Sequence, residues 1–456
     1  THALYLLTSD GGPEHRVAFT PKRASVVTVS DGKESPPATS EYAAPDGGRA
    51  HRLLVKRRPR SITVYVDGVR LIRVACAPDS APRGRVGHAA SSALSRLERP
   101  LVQPVGPVRF ADDFMRLPGE MGAWQTVAGE WTIASLGLPE FSANAFCFRG
   151  RGSPAYCLAG QWFWENYRFS TAIRLSTAEG ECGIMTHVHA PDRWLLFRWA
   201  AGRLELIERE HGAERRLAAH PCRLAPGQWY TLSVSAWNGQ VACYIDGALA
   251  LGPVSCSSDH GQVGLWAAGA GEVYVDDIQA GDIQRLEPPP LAKREAHVKA
   301  VFANDKYMQN WSRQASKGGG RVLDYTFHRA PADWSIAAGQ WGIQSRWVCQ
   351  PRWTWFGGSH DRAAIVWHKY RLRGDIDAAI YAAFRMDSPF DPVYRHPGDM
   401  AVTICADGRN LSSGYTFIFA GWENRWTRLL RKDTIVAETD AQFLPDNRDT
   451  FPYSKL

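Results

Sequence analysis

Several things are missing from this chain, and each absence narrows what it can be. No hydrophobic run approaches the length of a membrane-crossing helix, and no signal peptide is visible; Thr1 to Leu7 reads as a strand entered midway. Long amphipathic helical patterns are almost absent, which removes helical bundles and doubly wound α/β folds. The nine cysteines form no Cys-x-x-Cys pair, so a structural zinc site is not expected. Cys147 and Cys157 are spaced to bridge a hairpin, and the odd total leaves at least one thiol over. Charge of one sign is also not concentrated. With 53 basic and 46 acidic residues the net charge is only +7, and no nucleic-acid partner is expected. The densest run, Lys56-Arg57-Arg58-Pro59-Arg60, precedes a strand and reads as a solvated strand end.

What is present is strand alternation, turn dipeptides and tryptophan. Ser61-Ile62-Thr63-Val64-Tyr65-Val66 and Tyr230-Thr231-Leu232-Ser233-Val234-Ser235 alternate with period two, and Asp67-Gly68 and Asp246-Gly247 suit tight hairpins. The expected fold class is therefore all-β, made of tandem antiparallel β-sandwich domains with few helices. At 456 residues the chain holds more than one of them.

Two internal repeats set the organisation. Leu53-x-Val55 leads to Tyr65-Val66-Asp67-Gly68, and Leu232-x-Val234 leads to Tyr244-Ile245-Asp246-Gly247 at the same spacing. Gly84-Arg85-Val86-Gly87 and Gly261-Gln262-Val263-Gly264 follow them. An opening half is also written twice: Phe110 to Met115 with Trp124 and Gly129-Glu130-Trp131, then Phe302 to Met308 with Trp334 and Gly339-Gln340-Trp341. The repeats predict the closing half of one domain in residues 1–100, a complete domain in 105–285 and a linker or insertion in 286–320. They place an opening half or more of a third domain in 297–456. The two halves call for completion by another chain or fragment, or mark a piece of a longer polypeptide.

The middle unit resembles the concanavalin A-like lectin/glucanase superfamily, in its LamG-like and 3-keto-disaccharide hydrolase-like branches. The resemblance rests on the order of Phe110 to Met115, Gly129-Glu130-Trp131, Gly183-Ile184, Ala190 to Phe197, Gln228-Trp229-Tyr230, Tyr244 to Gly247, Gly261 to Trp266 and Val275-Asp276-Asp277-Ile278. It implies a jelly roll whose last strand pairs back beside its first. The superfamily hosts lectins, glycosidases and structural modules, so it implies function loosely. Its retaining glucanases carry a Glu-x-Asp-x-Glu strand, which this chain lacks; Glu179-Gly180-Glu181 and Asp375-Ile376-Asp377 are the nearest patterns.

Two constellations carry chemistry. Tryptophans interleaved with arginine suit glycan binding, because indoles stack on sugar C–H faces while polar groups bond hydroxyls. The candidate carbohydrate-binding residues are Trp162, Trp164, Asn166, Arg198, Trp199, Trp353 and Trp355, with Trp422, Arg425 and Trp426 as a further cluster. His187-Val188-His189 would put two imidazoles on one strand face, and Asp192 could join them as a metal site for calcium or zinc. No other cofactor is expected. The leading expectation is a non-catalytic carbohydrate-binding or structural protein of an extracellular, periplasmic or envelope assembly, with glycans or other protein chains as partners. The alternative is a hydrolase of the 3-keto-disaccharide type using His187, His189, Asp192 and Glu181.

Overall fold

A computed structural model describes residues 2–8, 14–42 apart from 21, 51–76 apart from 59, 84–90, 101–136 apart from 103 and 104, 147–287, 323, 325, 327, 329–344, 355–359, 363–382 apart from 377 and 379, 399–441 and 454–455. The chain divides into two compact units, Thr1–Ala332 with Ile343–Trp355, and Asp333–Gly342 with Phe356–Leu456. Both are built from antiparallel strands, so the all-β expectation holds.

The centre of the first unit is a sandwich of two sheets. One sheet runs in the order Ala213–Pro221, Arg203–Glu210, Arg193–Ala200, Gly180–Ala190, Gln262–Gly269; the other runs Val273–Asp282, Tyr167–Leu175, Trp229–Trp237, Gln240–Ile245, Ala248–Ser255. The long strand Cys147–Ala159 serves both, its first half beside Val273–Asp282 and its second beside Gln262–Gly269. Between the sheets lies a core that includes Phe114, Phe148, Phe169, Ile184, Phe197, Leu232 and Val275. Arg109–Asp112 pairs with Val273–Asp282, which puts the first strand beside the last as the family resemblance implies. Asp112 fixes that opening motif, accepting hydrogen bonds from Trp124 Nε1 at 2.9 Å and from both terminal nitrogens of Arg116. Cys147 and Cys157 sit ten positions apart on one strand, about 30 Å at strand rise, so they cannot bridge a hairpin.

The repeats recur in atomic detail. Leu53 faces Val66 and Leu232 faces Ile245, the same register in both hairpins. Asp67 and Asp246 have φ of 50° and 48°, and the glycines after them 82° and 80°, the two consecutive positive values of a type I′ turn. Each aspartate also closes its hairpin identically, Oδ1 accepting from Arg52 N at 2.9 Å or from Thr231 N at 2.8 Å. In the opening repeat, Phe302 to Met308 lies outside the described residues, while the two Gly-x-Trp strands match. Trp131 lies against Gly150 and 5.1 Å from Phe148, while Trp341 lies against Gly358 and 5.1 Å from Phe356.

These close approaches explain the glycines. A Cβ on Gly150 would stand 2.6 Å from the Trp131 indole, and one on Gly129, at φ 71°, would stand 2.2 Å from Ala155 Cβ. Gly129→Ala therefore combines a left-handed penalty with overpacking and is expected to destabilise the first unit by about 3 kcal/mol. A thermal melt checks this; a midpoint within a degree of wild type would contradict it.

Residues 2–90 add two further sheets to the first unit. His2–Thr8, Glu14–Phe19, Arg23–Ser30 and Gly84–Ala90 belong to one sheet, and Leu53–Arg58, Ser61–Val66 and Val69–Ala75 form a three-stranded meander. Val17, Phe19, Ala24, Val26, Ile62, Val64, Val66 and Ile72 form their shared core. Alternation sends Lys56, Ser61, Thr63 and Tyr65 to the meander's other face, yet these are buried as well. That polar face lies against the sandwich.

In the second unit, Trp334–Ala338 pairs with Ile365–His368, and Met400–Ile404, Tyr415–Ala420, Trp426–Arg431 and Thr434–Thr439 form a four-stranded sheet.

Candidate functional site

The sandwich sheet that contains Gly180–Ala190 has one face in the core and one turned away from it. Core-facing Cys157, Leu265, Ile184, Phe197 and Leu206 alternate with Tyr156, Trp266, Gly183, Arg198 and Glu205. The strand registers align the second set in a single row. Tyr156 faces Trp266, Trp266 faces Gly183, Gly183 faces Arg198 and Arg198 faces Glu205. The row is aromatic at one end and ionic at the other, with a glycine between. Tyr156 and Trp266 stack with centroids 5.9 Å apart and planes 23° from parallel, and the buried Nε1 of Trp266 has no hydrogen-bond partner among the described residues. Arg198 reaches Glu181 and Glu205, each at 3.1 Å, and Arg216 bonds Glu205 at 3.0 Å. Burial alone would raise the Glu205 carboxyl, but its bonds to Arg216 and Arg198 outweigh that and hold it below the ordinary range. Beside this row lies an apolar one, Leu158, Gly264, Met185, Leu196 and Ile207; Met185, Leu196 and Ile207 are buried in a second hydrophobic cluster against which Tyr156 and Trp266 pack, partly exposed.

Of the residues expected to bind carbohydrate, Arg198 alone belongs to this row. Trp199, its neighbour in the strand, points the opposite way into the core, where Nε1 donates to the Cys222 carbonyl at 2.8 Å. Trp164 is only 7% exposed and packs beneath Gly160, so it offers no stacking surface. Trp162 is half-buried, with the Arg52 guanidinium 5.0 Å over its ring. The Trp162 and Trp164 pairing fails because Gln161 to Trp164 is a turn, where strand alternation does not apply. Asn166 is a left-handed turn residue whose Oδ1 accepts from Asn238 N. Trp353 lies outside the described residues, as does the side chain of Trp355, whose backbone opens Trp355–Ser359. Asp375 is exposed and outside any strand, and Asp377 lies outside the described residues. Tyr156 and Trp266 were missed. Their signal is the alternation Tyr156-x-Leu158 and Gly264-x-Trp266, which gives both rings the parity opposite to the core.

A second polar cluster lies where the meander meets the sandwich. The basic run does not end in solvent: Lys56 is 2% exposed, and its Nζ stands 2.7 Å from Glu165 Oε2 and donates to the Phe163 carbonyl at 3.0 Å. Arg58 Nε completes the carboxylate's surroundings at 2.9 Å, and the Tyr65 hydroxyl donates to Glu165 at 3.3 Å. The Tyr65 ring lies 4.2 Å from His260, whose Nδ1 pairs with Asp259 at 3.0 Å; Arg70 also pairs with Asp259. His189 is 4.3 Å from His260 and 2.6 Å from Ser258 Oγ through Nε2. His187, fully buried, has Nδ1 4.0 Å from Cys256 Sγ.

The expected metal set is not assembled. A bulge at His187, φ 52°, breaks the alternation that would align the two imidazoles, and Asp192 is exposed in the following turn. Among the described residues no three His, Cys, Asp or Glu side chains are grouped to hold a metal ion. Burial, with the neighbouring His260, lowers His187 to about 4; burial, with His260, His187 and Arg193, lowers His189 to about 2. Burial also lowers His260 despite its bond to Asp259. Three neutral imidazoles packed among ion pairs make an interior joint.

No known protein-family profile matches the sequence, and no curated protein matches it. Solved structures are similar to parts of it. A carbohydrate-binding module, CBM66, from Bacillus subtilis is 17% identical over 36% of this chain and 97% of its own, with a TM-score of 0.31. The galectin LEC-6 of Caenorhabditis elegans is 18% identical over 29% of this chain and 92% of its own, TM-score 0.25. A β-glucanase of Bacillus licheniformis is 10% identical over 40% of this chain and 100% of its own, TM-score 0.30. None of these likenesses transfers a ligand or an activity to this chain.

Proposed function

We propose that this chain is a non-catalytic carbohydrate-binding protein that takes its glycan on the outward face of the sandwich, in an extracellular, periplasmic or envelope setting. The observation that carries the reading is the row Tyr156, Trp266, Gly183, Arg198, Glu205. The paired rings of Tyr156 and Trp266, each partly exposed, supply a surface for a pyranose C–H face, and Gly183 lets the Arg198 strand pack close beside them. Arg198, Glu181 and Glu205 supply donors and acceptors fixed by their mutual bonds, so little side-chain entropy is lost when hydroxyls replace water. Hydrolysis is not part of the reading: Glu181 and Glu205 are both tied to Arg198, and the histidines of the hydrolase alternative are packed in the joint.

The test is binding of the full chain to a glycan array, repeated with Trp266→Ala and Arg198→Met. Each is expected to weaken the best hit at least tenfold, about 1.4 kcal/mol. Full retention in both variants rejects this face as the site, and absence of any glycan hit leaves the scaffolding reading alone.

A further inference from the structure

The second unit carries an aromatic cluster that the sandwich face does not account for. Trp422 is 49% exposed, unusual for so large a ring. It stands in a single helical turn, the four-residue α-helix Gly421–Asn424, between Tyr415–Ala420 and Trp426–Arg431. Ala420 and Trp422 both have left-handed backbones, φ 55° and 54°, and Arg425 N donates back to the Gly421 carbonyl at 3.1 Å. A bulky side chain in that region is a genuine outlier, and such strain collects at ligand clamps. Here it holds an indole out from the sheet.

Beside Trp422 the Arg428 guanidinium lies 4.0 Å over its ring and 5.2 Å over the ring of Trp426. Nε of Arg428 bonds Glu438 at 2.9 Å; among the described residues neither terminal nitrogen is hydrogen-bonded. Two indoles and a carboxylate thus fix a guanidinium whose forked end remains for an oxyanion. The face of the Trp422 ring that Arg428 does not cover offers a flat apolar surface next to it. A ligand that uses both needs a face of C–H groups and one anionic group a few ångströms away. An acidic pyranose, a uronate, has that shape. A nucleic acid would also bring rings and anions, but residues 399–441 hold five basic and six acidic residues, so a phosphate chain finds no basic track.

We propose that Trp422 and Arg428 form a second binding site, specific for uronate-containing saccharides and separate from the Trp266 face. The experiment is calorimetric titration of the full chain with an oligogalacturonate, with its carboxyl-reduced neutral counterpart, and with single-stranded DNA of similar charge. Wild type is expected to bind the uronate at least tenfold more tightly than the neutral sugar, and to ignore the DNA. Trp422→Ala and Arg428→Met should each lose at least tenfold. Arg428→Lys keeps the charge but not the planar fork and should also lose most of the affinity. Trp266→Ala should bind the uronate as wild type does, which separates this site from the sandwich face. The proposal is overturned by no uronate binding, by equal binding of the neutral sugar, by matching affinity for DNA, or by Trp422→Ala binding unchanged with its circular dichroism intact.

Discussion

Glu165→Gln is expected to be the most damaging single polar substitution in the first unit, lowering its stability by about 3–5 kcal/mol. The reason is the position of Lys56. Its ammonium is almost entirely enclosed, 1% exposed at the side chain, and Glu165, itself 7% exposed, stands 2.7 Å away. Burial lowers the Lys56 value, and Glu165 opposes that; burial would raise Glu165, but Lys56 and Arg58 together outweigh it. Neutralising the carboxylate removes the countercharge of Lys56 and Arg58 and leaves the buried ammonium with neutral acceptors alone, the Phe163 carbonyl and the substituted amide oxygen. The pair itself need not be stabilising, since desolvation of two charges cancels much of their attraction. The double change Lys56→Met with Glu165→Leu should therefore recover most of the loss. Denaturant unfolding followed by limited proteolysis of residues 51–76 checks both. A single variant within about 1 kcal/mol of wild type would falsify the account of this joint.

What the sequence revealed and what it hid divide along chain separation. The Asp-Gly hairpins were legible because their chemistry is local: Asp67 caps Arg52 N and Asp246 caps Thr231 N within 15 residues of chain. The Gly-x-Trp strands were legible for a similar reason, since the indole of Trp131 needs a glycine across one strand pair. Lys56 was not, because its acceptor at Phe163 lies 107 residues on and nothing local announces it. Charge beside a strand is normally solvated, and only the docking of a second layer changes that. The same layer explains Tyr65, which matches Tyr244 in the repeat but lies against His260 rather than in the sandwich. In the candidate site, Arg198 was legible and Trp199 misled, because two neighbours in a strand cannot share a face. Trp162 and Trp164 misled for the converse reason, since a turn has no alternation to read. His187 misled because a single left-handed residue resets the pattern after it.

The histidines of the joint predict a steep acid response. In the unfolded chain each imidazole takes a proton near pH 6.5. Burial holds His187 to about 4 and His189 to about 2, and lowers His260. As pH falls from about 6.5, the unfolded chain binds protons that the folded chain refuses, so stability falls. The loss from His187 accumulates down to about pH 4 and that from His189 continues toward pH 2, each at about 1.4 kcal/mol per pH unit once its unfolded form is charged. The groups facing them do not reverse the sign. Arg193 and Lys56 oppose protonation, and the acids Asp259, Glu165 and Glu208, all held below their ordinary range, add to the loss once the pH drops under about 4. Between pH 6.5 and 4.5 the histidines act nearly alone. In that window wild type should lose about 3 kcal/mol or more of first-unit stability. His189→Gln, which keeps a hydrogen-bonding partner for Ser258 Oγ and cannot titrate, should lose about one pH-dependent proton fewer. Urea unfolding at half-unit pH steps measures the slope directly. A wild-type profile flat from pH 6.5 to 4.5, or one that His189→Gln leaves unaltered, would mean the imidazoles can be charged where they stand.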